Sequence, residues 1–182
     1  MAYSLYDNCE EEVIDPVCSP CPQNFENGRV RGVAYVHESY LATLLADPTD
    51  QSLWDAGVAA SKIYIIPATT GTFDGGAPVE APGFGDVETI ITGYNFSLQY
   101  KDPAYKDNVG FYNTIKKSGH YYVAFRTATL TKISDAPVTV IPKAPVADDK
   151  NSIVTWEVEV KFSQPDHSVP FVTPVALFSC PN

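Results

Sequence analysis

Four cysteines are the residues of this sequence whose type and spacing best suit chemistry. Cys18 and Cys21 form a C-x-x-C pair, Cys9 lies upstream of them, and Cys180 is near the other end of the chain. Four thiolates complete a tetrahedral zinc site, but such sites usually contain two close pairs and the second pair is missing here. Three interpretations stay open: a structural zinc that joins both ends of the chain, a disulfide, or separate reduced thiols.

The three histidines are the next candidates for chemistry. His37, His120 and His167 each have an acidic or hydroxyl residue beside them or close by in sequence. None of them belongs to a G-x-S-x-G, H-E-x-x-H or H-x-H motif. The sequence therefore predicts no catalytic residues and no enzyme activity.

Acidic residues offer weaker candidates. Asp74-Gly75-Gly76 and Asp148-Asp149 contain possible calcium ligands, yet calcium needs six to eight oxygens and neither stretch supplies several at alternating positions. A glycine-rich turn is the better interpretation of the first. Glu10-Glu11-Glu12 is typical of a solvated acidic stretch. The alternative interpretation is that it lies on a terminal arm and docks on a basic patch of a neighbouring subunit.

Composition limits the function further. The chain has 182 residues, 45% of them hydrophobic and 19% charged, which predicts a globular fold with one main domain. Its formal net charge is −10 and its 12 Lys and Arg residues are scattered, so we expect no direct contact with nucleic acid. The first residues do not resemble a secretory signal, and no apolar run is long enough to span a membrane. We therefore expect a protein of the cytosol, where thiols stay reduced.

Residue periodicity predicts mainly β structure. Residues 29–36, 62–67, 87–100, 120–133 and 153–163 have strand patterns, and the last alternates Val154, Trp156, Val158, Val160 and Phe162 with polar residues. A final short strand is predicted near 175–178, and the proline-punctuated segment 136–151 is predicted to be an edge segment or a connection.

Two short helices are predicted between these strands. Asp47 is expected to cap the first, with Pro48 at its first position and Leu53, Trp54, Val58 and Ala59 on its buried side. The second is expected within 101–119, where Val109, Tyr112 and Ile115 or Lys116 fall at helical spacing, with Lys116-Lys117 in its last turn and Gly119 after it.

These elements define the expected architecture. We predict an antiparallel β-sandwich or flattened barrel with one or two short helices. Residues 1–28 are expected to form an extended N-terminal arm, and residues 29–182 a single β-rich domain. Residues 68–86, which hold five of the eleven glycines, are expected to form a long loop or the end of a loose hairpin.

The second half of the chain also resembles a known group of proteins. The stretch TGYNFSLQYKDPAYKDNVGFYNTIKKSGHYYVAFRT, followed by PVTVIPKAP, SIVTWEVEVKFS and VPFVTPVALF, is similar in strand order and turn placement to tailed-bacteriophage virion proteins. The similar part covers about residues 87–180. The resemblance is to the small β-sandwich type found in tail tubes and in capsid or collar decorations, including proteins of the crAss-like phages.

This resemblance implies a structural role in a virion. It implies that the chain assembles in the host cytoplasm with copies of itself and with major capsid, portal or tail proteins, through the arm 1–28, the loop 68–86 and the segment 136–150. It implies no certain cofactor beyond the possible zinc. The alternative function is a carbohydrate- or ligand-binding β-sandwich, with exposed aromatic residues as its platform: Tyr3, Tyr6, Phe84 and Tyr105.

Overall fold

The computed structural model describes residue 26, residues 28–83, 85, 89–146 and 148, and residues 153–178. These residues contain ten strands and three helices. In chain order they are β1 (Gly32–His37), α1 (Glu38–Ala46), α2 (Gln51–Ala59), β2 (Ile63–Ile66), β3 (Thr70–Phe73), β4 (Ala77–Pro82), β5 (Thr89–Asp102), α3 (Val109–Ile115), β6 (Tyr121–Arg126), β7 (Leu130–Ile133), β8 (Thr139–Lys143), β9 (Trp156–Gln164) and β10 (Phe171–Val172).

The strands form two antiparallel sheets. Sheet I has the order β10-β7-β6-β1-β2, and sheet II has the order β3-β5-β9-β8, with β4 also paired to β5. The predicted antiparallel β-sandwich is confirmed. A bridge between Val30 and Gly71 links the two sheets at one corner, just before β1 begins.

The core between the sheets follows from the alternation of the longest strands. Phe96, Leu98 and Tyr100 of β5 and Val158 and Val160 of β9 are buried, and their neighbours in sequence are less buried or exposed. The same core contains inward residues of β1 and β6 and one side of α3. Each of these strands therefore presents one apolar face to the other sheet.

Helices α1 and α2 cover the outer face of sheet I. Leu44 and Trp54 are fully buried there with Ala34, Val36 and Ala124. Gly57 allows α2 to approach closely, because a Cβ at this position would lie 2.4 Å from Cδ1 of Ile63. The outer face of sheet II carries polar residues instead, including an ion pair of 2.8 Å between Lys101 and Glu157, which are opposite each other in the ladder.

The helix boundaries differ from the predicted ones. Asp50, and not Asp47, caps α2: its carboxylate accepts a hydrogen bond of 2.9 Å from the backbone N–H of Ser52. Asp47 instead accepts from Thr49 in the preceding turn. Trp54 is buried as predicted, but Val58 is 43% exposed. The described residues also contain three helices and not one or two, because Glu38–Ala46 forms a helix of its own.

The predicted second helix also ends earlier than expected. It is α3, whose C-cap is Lys116, so that Lys117 and Gly119 lie beyond it. Tyr112 and Ile115 of the predicted helical series are buried in the core between the sheets, whereas Val109 is 38% exposed.

Of two predictions about β structure, one was right only in its alternative and the other was wrong. Residues 68–86 are not a long loop, because β3 and β4 lie within them and pair with β5; β4 and β5 form a hairpin, which agrees with the alternative, the end of a hairpin. Residues 175–178 form a turn, and the last described strand is β10, further upstream. The segment 136–151 was predicted well: it contains β8, which is an edge strand of sheet II with Pro142 in it.

Candidate functional site

Strand β5 extends well beyond the sandwich. Its 14 residues pair with β9 only from Tyr94 to Asp102, because β9 ends at Gln164. Residues 89–93 continue the strand, and β4 is the only described strand that lies beside them. Residues 77–82 and 89–93 therefore form a two-stranded ribbon, which we call the ribbon, and its five β5 residues span about 17 Å.

The surface of the ribbon is apolar on both faces. Ile90 is 44% exposed and Ile91 is 56% exposed, and adjacent side chains of a strand point to opposite faces. Thr89 and Thr92 are exposed as well, while Val79 of β4 is half-buried. An isolated two-stranded hairpin is only marginally stable in water. A ribbon of this kind is typical of a segment that is covered by another molecule.

A bulge sets the position of the ribbon. β3 and β4 pair with the same edge of β5 as one strand interrupted at residues 74–76, and Asp74 accepts a hydrogen bond of 3.0 Å from the N–H of Gly76. Gly75 and Gly76 have φ angles of 80° and 92°. A Cβ at Gly76 would lie 2.4 Å from Cε1 of Phe96. The Asp74-Gly75-Gly76 stretch thus interrupts an edge strand that resumes along β5, where the sequence predicts a glycine-rich turn.

The structure brings two of the three histidines together at the end of β1 and the start of β6. The ring centroids of His37 and His120 are 6.3 Å apart, and Nδ1 of His120 lies 3.0 Å from a carboxylate oxygen of Glu38. His37 caps α1, since its Nδ1 accepts from the N–H of Ser39 at 3.2 Å. Within the described part of the chain, no three His, Cys, Asp or Glu residues gather in a way that would hold a metal. A capping role accounts for His37.

The third histidine supports the base of the ribbon. The ring of His167 packs on Tyr94 at 4.5 Å and on Phe96 at 5.3 Å between centroids. Nearby, the side-chain amide of Gln164 donates to the backbone oxygen of Asp166 at 2.6 Å and to Oγ of Ser168 at 2.9 Å. These contacts hold the chain that leaves β9 against the outer part of β5.

A buried polar network at the other end of β5 was missed by sequence reasoning. Asp102 is 1% exposed, and its carboxyl group accepts hydrogen bonds from the hydroxyl of Tyr112 at 2.8 Å, the amide of Asn108 at 2.6 Å and the N–H of Ala104 at 2.9 Å. Alternation along β5 was the signal that could have found it, because Asp102 continues the inward series Phe96, Leu98, Tyr100.

Tyrosine hydroxyls extend this network across the sandwich. The hydroxyl of Tyr100 lies 2.8 Å from that of Tyr35 in sheet I and 3.3 Å from that of Tyr112. Burial raises the pKa of all three phenols well above the ordinary value of 10, and the charge of Asp102 raises it further. The three hydroxyls are therefore neutral at physiological pH, as hydrogen bonding inside the core requires.

The carboxylate of Glu26 anchors the residue that lies furthest upstream of β1 in the described part of the chain. Glu26 accepts hydrogen bonds from the hydroxyls of Thr127 and Thr129 and from the N–H groups of Thr129 and Leu130. These donors lower its pKa from 4.5 to about 2. Glu26 also borders an open cavity of about 490 Å³ between the sheets, whose apolar lining includes Phe73 and Phe125.

Several predicted site residues lie outside the described residues. They are the four cysteines Cys9, Cys18, Cys21 and Cys180, the Glu10-Glu11-Glu12 stretch, Asp149, and three of the four aromatic residues of the carbohydrate platform, Tyr3, Tyr6 and Phe84. The zinc site stays a prediction. Tyr105, the fourth aromatic residue, packs on Trp156 at 5.7 Å, and its backbone oxygen accepts a hydrogen bond of 3.0 Å from the indole N–H.

Comparisons of this chain with family models, with curated proteins and with solved structures found no match. No helix in the described part of the chain is long and apolar enough to cross a membrane.

Proposed function

We propose that this chain is a non-enzymatic structural protein of a tailed-phage particle, which assembles with itself or with other virion proteins. In the particle it would be an auxiliary capsid protein or a ring component of the tail or connector. The observation that carries the proposal is the ribbon, whose exposed Ile90 and Ile91 extend an apolar surface beyond the sandwich. Copies of the chain and the major capsid, portal or tail proteins are its expected partners.

The edges of sheet II support an assembly role. Two of the segments expected to form interfaces, 68–86 and 136–150, contain β3 with β4 and β8, which are the opposite edges of this sheet. Edge strands and loops are the parts of a β-sandwich through which repeated copies pair. The negative net charge of the chain favours solubility before assembly and opposes binding to DNA.

The gene neighbourhood and the purified particle test this function. We expect genes for portal, major capsid or tail proteins beside the gene for this chain, and mass spectrometry of purified particles should detect the chain. Purified chain should also form oligomers, or bind a capsid or tail protein, in chromatography with light scattering. A gene with no virion genes around it, encoding a strict monomer that a glycan column retains, would favour the carbohydrate-binding alternative instead.

A further inference from the structure

We propose that the open cavity between the two sheets binds an amphipathic carboxylate, a molecule with an apolar chain and one anionic group, and that Lys132 pairs with this group. The inference goes beyond the proposed function and does not depend on it. The cavity has a volume of about 490 Å³, and small-molecule sites in proteins usually have volumes of about 300–1,000 Å³.

The walls of the cavity are mainly apolar and come from both sheets. Phe73 of β3 and Phe125 of β6 border it, and their ring centroids are 4.7 Å apart. Val30, Leu130 and Pro170 add further apolar side chains to the lining. Transfer of a hydrocarbon chain from water into such a space is favourable. The walls therefore suit the apolar part of the ligand.

Lys132 places a charge on the inner side of its strand. It lies directly opposite Phe125 in the ladder between β6 and β7, and residues that oppose each other share a face of the sheet. Phe125 belongs to the core between the sheets, whereas Ile133, the next residue of β7, belongs to the cluster under α1 and α2. The side chain of Lys132 therefore points into the space between the sheets, where it lines the cavity.

The ammonium group of Lys132 has no hydrogen bond or ion pair within the described part of the chain. A cation among apolar side chains is costly unless an anion accompanies it or water solvates it. Lys132 is half-buried, so water reaches it only in part. A bound carboxylate would be the counter-ion that the described residues do not supply.

The other charges at the cavity favour a ligand with a single negative charge. Glu26 lines the cavity, and its pKa of about 2 keeps it ionised at neutral pH. Arg29 lines it as well, and its guanidinium donates a hydrogen bond of 2.9 Å to the hydroxyl of Thr70. These two opposite charges balance, which leaves the charge of Lys132 for one carboxylate. A dianion such as a phosphate monoester would be repelled more strongly by Glu26.

Decanoate and decan-1-ol are suitable probes, because they have the same chain length and differ in the charged group. Both are added to the full-length chain below the concentration at which decanoate forms micelles. Isothermal titration calorimetry measures the affinities, and NMR of isotope-labelled protein locates the site. We expect decanoate to bind, to shift the amide signals of Phe125, Leu130 and Lys132, and to bind more tightly than decan-1-ol.

Substitution of Lys132 tests the ion pair. Lys132→Met removes the charge and keeps an unbranched side chain, so decanoate should bind about tenfold more weakly while the affinity for decan-1-ol should not fall. Lys132→Arg keeps the charge and should retain decanoate binding to within about threefold. Lys106→Met is the matched control: Lys106 is exposed and does not line the cavity, so the same loss of charge should leave the decanoate affinity unchanged.

A variant that fills the cavity tests it independently of charge. Leu130 lies two residues from Lys132 on the same face of β7, so the larger side chain of Leu130→Trp takes up volume in the cavity. Both probes should bind more weakly to this variant. Near-ultraviolet circular dichroism of Lys132→Met should match that of the wild type, since the substitution only replaces a half-buried cation by an apolar side chain.

The proposal fails if decanoate binds equally to the wild type and to folded Lys132→Met. It also fails if decanoate does not bind the wild-type chain, or if the shifted amide signals all belong to residues outside the cavity lining. None of these results bears on virion membership, which the gene neighbourhood and particle composition test independently.

Discussion

The inner and outer parts of β5 differ in the strands that pair with them and in the exposure of their side chains. Residues 94–102 pair with β9 on one side and with β3 and the start of β4 on the other, and their side chains alternate between the core and the surface. Residues 89–91 pair with β4 alone, Thr92 lies at a register shift of that ladder, and all four residues are exposed. Burial therefore stabilises the inner part. The outer part belongs to a two-stranded ribbon, which is only marginally stable in water unless another strand or molecule covers it.

The largest difference between the two parts should appear when a large side chain is truncated in each. Leu98 is fully buried, so Leu98→Ala should lower the free energy of unfolding by about 2–5 kcal/mol. Ile91→Ala should change it by less than about 0.5 kcal/mol, because Ile91 is exposed. Urea unfolding at low protein concentration, where the monomer dominates, measures both. Equal losses at the two sites would mean that the ribbon is packed within the monomer.

The polar end of the inner part should be almost as sensitive. Asp102→Ala leaves three hydrogen-bond donors without their acceptor: the hydroxyl of Tyr112, the side-chain amide of Asn108 and the N–H of Ala104. We expect a loss of about 2–3 kcal/mol in the free energy of unfolding. Tyr64→Phe serves as the control, because it removes only the hydrogen bond of 2.5 Å to Asn108 at the rim of the network and should cost about 1 kcal/mol. A loss no larger for Asp102→Ala than for this control would contradict the account.

The sequence predicts the inner part of β5 and its partner β9, and there are physical reasons why it does not predict β3 and β4. Alternation identified β5 and β9 because a strand buried on one face repeats every two residues, and burial of Tyr112 and Ile115 followed from helical spacing. β3 and β4 were missed because a bulged edge strand rich in glycine and proline has no such period. The paired residues show why: Gly75 and Gly76 fall where the ladder is interrupted.

Contacts between remote residues were harder still to predict. Asp102 was not recognised as buried, since only the fold places Tyr112 and Asn108 within reach of its carboxyl group. The neighbourhood of His37 and His120 follows from the pairing of β1 with β6, which periodicity does not reveal. The acceptor role of Glu26 depends likewise on the β6–β7 turn, a hundred residues further along the chain.

Alkaline pH should disrupt the inner part of β5 and leave the ribbon unaffected until the fold is lost. The pKa values of Tyr35, Tyr100 and Tyr112 are raised above the ordinary value of 10, so the folded state keeps protons that the unfolded state releases. Their contribution to stability is complete below pH 10 and falls as pH rises above it. Tyrosinate absorbance should show a late group that ionises together with the loss of near-ultraviolet circular dichroism. Tyr35→Phe should remove one member of this group, and smooth independent titration of every tyrosine would argue against the network.

The boundary between the two parts of β5 should depend on the bulge glycines to different degrees. Gly76→Ala forces a Cβ against the ring of Phe96 at a φ of 92°, and we expect it to cost about 2 kcal/mol in the free energy of unfolding. Gly75→Ala has the positive φ but open space around it, so it should cost about 1 kcal/mol. Thermal and urea unfolding of the two variants compare them directly. A Gly75→Ala loss equal to that of Gly76→Ala would show that backbone strain alone, and not the contact with Phe96, sets the bulge.

The smallest effect should come from substitution of Glu26. Hydrogen bonds hold the carboxylate of this residue in place, in contrast to the exposed side chains of the ribbon. Its pKa is about 2 in the folded chain and ordinarily 4.5, so its contribution to stability is present above pH 4.5 and is lost as pH falls from 4.5 towards 2. Glu26→Gln does not titrate, so its melting temperature should lie slightly below that of the wild type at neutral pH and converge with it near pH 2. In a Thr129→Val background, which removes one of the donors, the difference at neutral pH should shrink. A gap between wild type and Glu26→Gln that is independent of pH would mean that the shape of the side chain, and not its charge, holds this segment against the β6–β7 turn.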